Sequence, residues 1–180
     1  MSAQETARAA HDETGHEVRW LGPGEGEARW VIGELDTMKA TAAQTAGLFG
    51  LKESKAPKGS GPPLHVHEHE DEACYVLEGE VTFFVGDDVI AVPAGSWVYL
   101  PRRIPHSLRI DSDEARTLWL VVPGGFESFF LETFPVATKG SSPPDEPVDF
   151  ELLAQAAARY GVTILGPTPG DSPEARTRLS

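Results

Sequence analysis

The chain has 180 residues, 40% of them hydrophobic, which suits one folded domain with its own core and is too apolar for a disordered protein. Its 15 basic and 28 acidic residues give a formal net charge of −13, which repels phosphate backbones and anionic lipid surfaces, so neither nucleic acid nor membrane is expected as a partner. A single cysteine, Cys74, excludes an intrachain disulfide framework and a CxxC motif, and no apolar run reaches the ~18 residues of a membrane span. The first residues lack the apolar block of a secretory signal, and the expected compartment is the cytoplasm.

Residues 1–18 are polar and aperiodic and read as a flexible extension. Residues 30–32 and 46–51 are short apolar stretches broken by glycine and read as strands. Residues 53–63, ESKAPKGSGPP, read as a loop, because proline and glycine interrupt ladders and helices alike. The run LHVHEHEDEACYVLEGE follows, and then VTFFV and VIAV flank Gly86-Asp87-Asp88 as a hairpin. Strand-length runs at 97–100, 107–110 and 117–122 continue the series, with prolines and glycines between them. That spacing predicts an antiparallel sandwich or barrel rather than alternating βα units. The texture then changes. Phe126, Phe129, Phe130 and Phe134 form one helical stripe, and a second helix is expected over 149–160. Asp149 is its N-cap, Leu152, Leu153, Ala156, Ala157 and Tyr160 are its apolar face, and Gly161 is its stop. Residues 19–166 are thus expected to form one mostly β domain, and 167–180 a flexible tail.

The histidines carry the chemistry. Of the six, four lie between positions 65 and 106. His65 and His67 are two apart, so on a strand both imidazoles project from one face. Glu72, Cys74 and Val76 share a face of the next run, and His106 opens another strand just after Pro105. If these strands are neighbours, three imidazoles and one carboxylate converge. Such a set suits Fe, Ni, Mn, Co, Cu or Zn and leaves coordination positions open for substrate. On the HxH pair alone, a solvated acidic loop explains HEHEDE as well.

The joint pattern is similar to the cupin superfamily. Its first motif, G(x)5HxH(x)4E(x)6G, is matched by Gly59, His65, His67, Glu72 and Gly79. Its second, G(x)5PxG(x)2H(x)3N, is matched by Gly95, Pro101 and His106, with Arg103 in place of the glycine and Ile110 in place of the asparagine. Fifteen residues separate Gly79 from Gly95, a short spacer. The resemblance implies an all-β, cupin-type double-stranded β-helix, a jelly-roll barrel with short C-terminal helices. It implies one divalent transition metal held by His65, His67, Glu72 and His106. The ending resembles small bacterial quercetin dioxygenase-like cupins, which implies a dioxygenase acting with dioxygen on a small enolisable or polyphenolic molecule, and Glu72 as proton acceptor. A non-redox isomerase, cyclase or lyase, and a small-molecule-binding cupin without turnover, need the same four residues. A homodimer pairing near Trp30 is also expected by resemblance.

Other residues read more plainly. His69 is expected in solvent, Cys74 as a small core residue, and Glu70 and Asp71 as parts of a solvated acidic turn. Arg102 and Arg103 read as exposed turn residues rather than anchors for an anionic substrate. Trp97, Tyr99 and Trp119 read as core or interface, and His11 and His16 need no functional explanation.

Overall fold

Along the strands of the computed structural model, which describes residues 18–145 and 147–169, inward and outward side chains alternate and build two antiparallel sheets. The strands are β1 (Glu27–Val31), β2 (Glu34–Ala40), β3 (Gly50–Pro57), β4 (Leu64–His67), β5 (Asp71–Glu78), β6 (Glu80–Val85), β7 (Asp88–Pro93), β8 (Trp97–Leu100), β9 (His106–Ile110), β10 (Glu114–Val122) and β11 (Val162–Gly166). One sheet has the order β1-β2-β3-β10-β5-β8 and the other β11-β4-β9-β6-β7. The two short helices are α1 (Glu127–Thr133) and α2 (Phe150–Ala158). The expected N-terminal extension, with His11 and His16, and most of the expected tail lie outside the described residues. No helix among the described residues is long and apolar enough to cross a membrane.

The inner faces show period-two burial. On β10, Ala115, Thr117, Trp119 and Val121 are buried, and on β5, Glu72, Cys74 and Val76. Of these, Ala115, Trp119, Cys74 and Val76 join Val81, Phe83 and Leu100 in one core, each fully buried large side chain contributing roughly 1.5–3 kcal/mol. A second core forms where the phenylalanine stripe of α1 meets Leu153, Ala156 and Ala157 of α2. Asp149 caps α2 as expected, accepting from the backbone N–H of Glu151 and Leu152. Leu152, however, is exposed, so the apolar face of α2 is narrower than its sequence suggested.

Four stretches differ from the sequence reading, the first being β2 itself, an unanticipated strand that follows a turn at Ile32 and Gly33 with positive φ of 50° and 85°. Residues 46–49 form a turn, because Ala46 and Gly47 adopt positive φ of 52° and 80°, which a strand cannot accommodate. Residues 53–57 are strand rather than loop. β3 pairs on one side with β2 and on the other with β10, and Pro57 stands at its last position. β11, directly after Gly161, adds an unexpected strand beside β4. The hydrogen-bonding edge of β1 is taken by the chain itself, Trp30 N–H donating to Pro135 O and Ala137 N–H to Ala28 O. A dimer through that edge would have to displace residues 135–137.

Candidate metal centre

The four residues named by the motif meet inside the barrel. On β4, His65 and His67 point inward together, and His65 stands directly opposite His106 of β9. The turn at 68–70 then carries the chain from the five-stranded to the six-stranded sheet, where Glu72 faces the imidazoles from β5. Ring centroids are 4.5 Å apart for His65 and His106, 5.2 Å for His65 and His67, and 5.7 Å for His67 and His106. One ligand atom from each of the four lies within 4.8 Å of the others. His67, Glu72 and His106 are buried, and His65 is half-buried at the cavity.

Each imidazole has an acceptor on its outer nitrogen. His65 Nδ1 is 2.8 Å from Pro63 O, His106 Nδ1 is 2.9 Å from Ile104 O, and His67 Nδ1 is 3.3 Å from Glu70 Oε2. With Nδ1–H donating outward, each Nε2 is turned toward the other members of the cluster. Among the described residues His67 Nε2 is buried without a hydrogen-bond partner, and His106 Nε2 lies 3.0 Å from Glu72 Oε2. Burial works against ionising Glu72, but the adjoining His67 and His106 outweigh it and hold the carboxyl well below its ordinary range. Burial, reinforced by His106, pushes His65 down to about 4, which favours the neutral ring. For His67, burial is overcome by Glu72 and Glu70, and its pKa is raised. An orphaned buried nitrogen, oriented imidazoles and an ionised carboxylate fit a divalent transition metal.

Residues 53–123, which contain all four donors, match the family described as Cupin domain. The motif residues, the two-sheet barrel and this match agree. The chain belongs to the cupin superfamily. Quercetin 2,3-dioxygenase of Bacillus subtilis (strain 168) is 30% identical to this cupin over 149 residues, 82% of this chain and 44% of the relative. An uncharacterised protein of Methanocaldococcus jannaschii is 33% identical over 58 residues, 32% of this chain and 46% of that protein. The cupin thus spans less than half the length of these two curated relatives. Among solved structures, an RmlC-like cupin from Shewanella frigidimarina has a TM-score of 0.54 at 16% identity, covering 62% of this chain and 96% of its own. The polyketide cyclase RemF from Streptomyces resistomycificus has a TM-score of 0.52 at 21% identity, covering 58% and 79%. Both likenesses are of fold.

Around the cluster the cupin sorts its other candidates. His69 is exposed, as expected. Cys74 is fully buried and burial pushes its thiol up, so it is an inert core residue. Arg102 forks onto Asp71 with two contacts of 2.9 Å, and exposed Arg103 reaches Glu68 at 2.8 Å, so both arginines are engaged by carboxylates of the 68–71 segment. Glu70 departs from the expected solvated turn: it is buried and accepts from His67 Nδ1. Trp97 and Tyr99 stack on the outer face, whereas Trp119 lines the interior.

The donors open onto a cavity of about 110 Å³ whose walls include Leu100, Trp119, Phe126, Phe129 and Phe130. His65, Glu72 and His106 line it, and so do Glu34, Asp36 and Lys52, which sequence reasoning did not single out. The polar i, i+2 pairs Glu34/Asp36 and Lys52/Ser54 were the available signal, two strands with polar inward faces.

Proposed function

We propose that this cupin is a metal-dependent dioxygenase of small enolisable or polyphenolic molecules. The observation that carries the reading is a buried three-histidine, one-carboxylate cluster opening onto an aromatic cavity. The extended alignment with a quercetin 2,3-dioxygenase supports it. His65, His67, Glu72 and His106 would hold one divalent transition metal, which supplies Lewis acidity and, for redox-capable ions, a path for electrons between substrate and dioxygen.

The chain's own residues do the remaining work. Pro63 O, Ile104 O and Glu70 hold the imidazoles in one tautomer, and Phe126 packs edge-on against His67 with centroids 4.6 Å apart. Glu72, the carboxylate of the cluster, takes the proton of the substrate hydroxyl and leaves an enolate or phenolate. Phe126, Phe129 and Phe130 exclude bulk water from the reacting carbon. Both oxygen atoms enter the substrate, which itself supplies the electrons, so no external reductant is needed.

The test is oxygen uptake by metal-free protein reconstituted in turn with Fe, Ni, Co, Mn, Cu and Zn, against flavonols, catechols and β-diketones. The expected result is uptake that requires a redox-capable metal and one substrate class, and that is abolished in His67→Ala. Substrate conversion without oxygen consumption would replace this reading with Lewis-acid isomerase or cyclase chemistry. Absence of any metal-dependent conversion would count against enzymatic turnover of these compounds.

A further inference from the structure

A second polar group faces the same cavity and has no part in the four-donor cluster. β5, β10 and β3 are consecutive in the six-stranded sheet, with Cys74 opposite Trp119 and Trp119 opposite Lys52. Lys52 therefore stands two strands and one inward row from Glu72, a Cα separation of about 12 Å from strand spacing and rise. Its Nζ is 2.6 Å from Asp36 Oδ2 and 3.1 Å from Ser54 Oγ, and 4.5 Å from the centre of the Phe130 ring. Asp36 is fully buried, and Ser54 donates to its other oxygen.

A buried ion pair is a poor source of stability, since apolar residues of similar volume do as well or better. A lysine and two acids inside a largely apolar wall therefore call for another role. An ammonium has three N–H donors, and among the described residues two of those of Lys52 have oxygen partners. Glu34 lines the cavity beside it, its carboxyl pushed up to about 8 by burial and by the charge of Asp36, so at neutral pH it is a second donor. Asp36 has both of its oxygens engaged, one by Lys52 and the other by Ser54.

We propose that Lys52 and Glu34 form a recognition site for an acceptor oxygen, a ring carbonyl or an ionised hydroxyl, on a planar apolar molecule whose other end reaches the histidine cluster. Trp119, Phe126, Phe129 and Phe130 supply the flat apolar walls. The assignment deepens the dioxygenase reading, on which it rests for the orientation of substrate but not for binding itself.

The test uses full-length, metal-free protein and two probes of like size, chromone, which carries a ring carbonyl, and naphthalene, which carries no oxygen. Ligand-observed NMR titration should give the wild type a preference for chromone of about tenfold, the scale of one good hydrogen bond to a charged donor. Lys52→Met alone strands Asp36, so the double variant Lys52→Met/Asp36→Leu and the isosteric Glu34→Gln are used as well. The preference should vanish in the double variant and persist in Glu34→Gln, whose amide still donates, while metal uptake at the four donors stays at the wild-type level. Equal binding of the two probes, binding of neither, or a preference that survives the double variant would overturn the assignment. Flavonol-dependent oxygen uptake undiminished in the double variant would overturn it while leaving the dioxygenase intact. A Lys52-dependent chromone preference without oxygen uptake would keep it and remove the dioxygenase.

Discussion

His67 Nε2 is buried with no hydrogen-bond partner among the described residues, whereas Asp36, buried as deeply, has both carboxylate oxygens engaged by Lys52 and Ser54. The two clusters share one cavity and differ in what they leave undone. Around the histidines the outer nitrogens are satisfied, while His67 Nε2 is left over and His106 Nε2 shares the Glu72 carboxylate, an arrangement completed by a group from outside the chain. Around Lys52 the Asp36 charge is satisfied within the chain, and two of the three ammonium N–H groups have oxygen partners among the described residues. The first cluster thus suits a cation and the second an oxygen. Substitutions that separate cation binding from stability test this difference most directly.

The largest expected effect is on metal. His67→Ala or His106→Ala removes one donor from a set that already includes its own oriented partners, and bound metal should fall at least tenfold. Elemental analysis after dialysis against trace metal measures it. The circular dichroism of both variants should stay β-rich, because the apolar core of Val76, Val81, Phe83 and Leu100 is left in place. Full occupancy in both variants would remove the cluster as a metal site.

Next comes stability. Lys52→Met leaves the fully buried Asp36 carboxylate without its cation and should cost about 3–5 kcal/mol in urea unfolding. Lys52→Met/Asp36→Leu should recover most of that loss, since the penalty belongs to the stranded charge. If the double variant is as unstable as the single one, Lys52 acts through packing on Phe130 and Trp119 instead.

The histidine cluster was legible because its parts are local. His65 and His67 share one strand, Glu72 follows across a short turn, and glycines with φ near +80° at Gly59, Gly79 and Gly95 mark the turns of the motif. Only the convergence with His106 required the fold. The Lys52 cluster was illegible for the converse reason. Its inward positions on β2 and β3 are the polar Glu34, Asp36, Lys52 and Ser54 with only Met38 and Ala56 beyond them, so hydrophobic alternation, the main evidence for a strand, is broken there. The alternation that did exist was polar, and its meaning depended on β10 lying alongside. Glu70 illustrates the same limit at short range. In sequence it belongs to an acidic run, and only the turn places it under His67.

Protonation offers a finer separation. The Glu34 carboxyl is raised from an ordinary value of 4.5 to about 8, by burial first, then by Asp36, with Lys52 opposing. The folded state therefore keeps a proton that the unfolded chain has released, and the stability Glu34 contributes is complete below about pH 4.5 and is lost as pH rises through about 8. The slope is bounded by about 1.4 kcal/mol per pH unit for one whole proton, and a partly solvated carboxyl reaches a fraction of it. In metal-free protein His65, lowered to about 4, works in the opposite sense over the acidic part of this window. The informative quantity is thus the difference between wild type and Glu34→Gln, in which His65 cancels. Wild type should lose stability relative to Glu34→Gln between pH 5 and 8. Parallel curves would mean that Glu34 is ionised throughout.

The smallest effect concerns the one motif glycine that this chain replaced near the site. Arg103 adopts φ of 66°, the left-handed conformation that the usual glycine of the motif takes without strain. A side chain there costs roughly 1 kcal/mol. The return is an ion pair from Arg103 to Glu68 with both groups more than half exposed, worth a few tenths of a kcal/mol. Arg103→Gly keeps the backbone N–H that donates to His67 O at 2.8 Å, so the link from this turn to the ligand strand survives. The variant should be more stable by about 0.5 kcal/mol and melt one or two degrees higher, with unchanged metal content. If instead it melts lower, the Arg103–Glu68 pair is holding the 68–70 turn closed. Glu70 reaches His67 from that turn, so metal affinity should then fall together with stability, and the surface pair would belong to the histidine cluster.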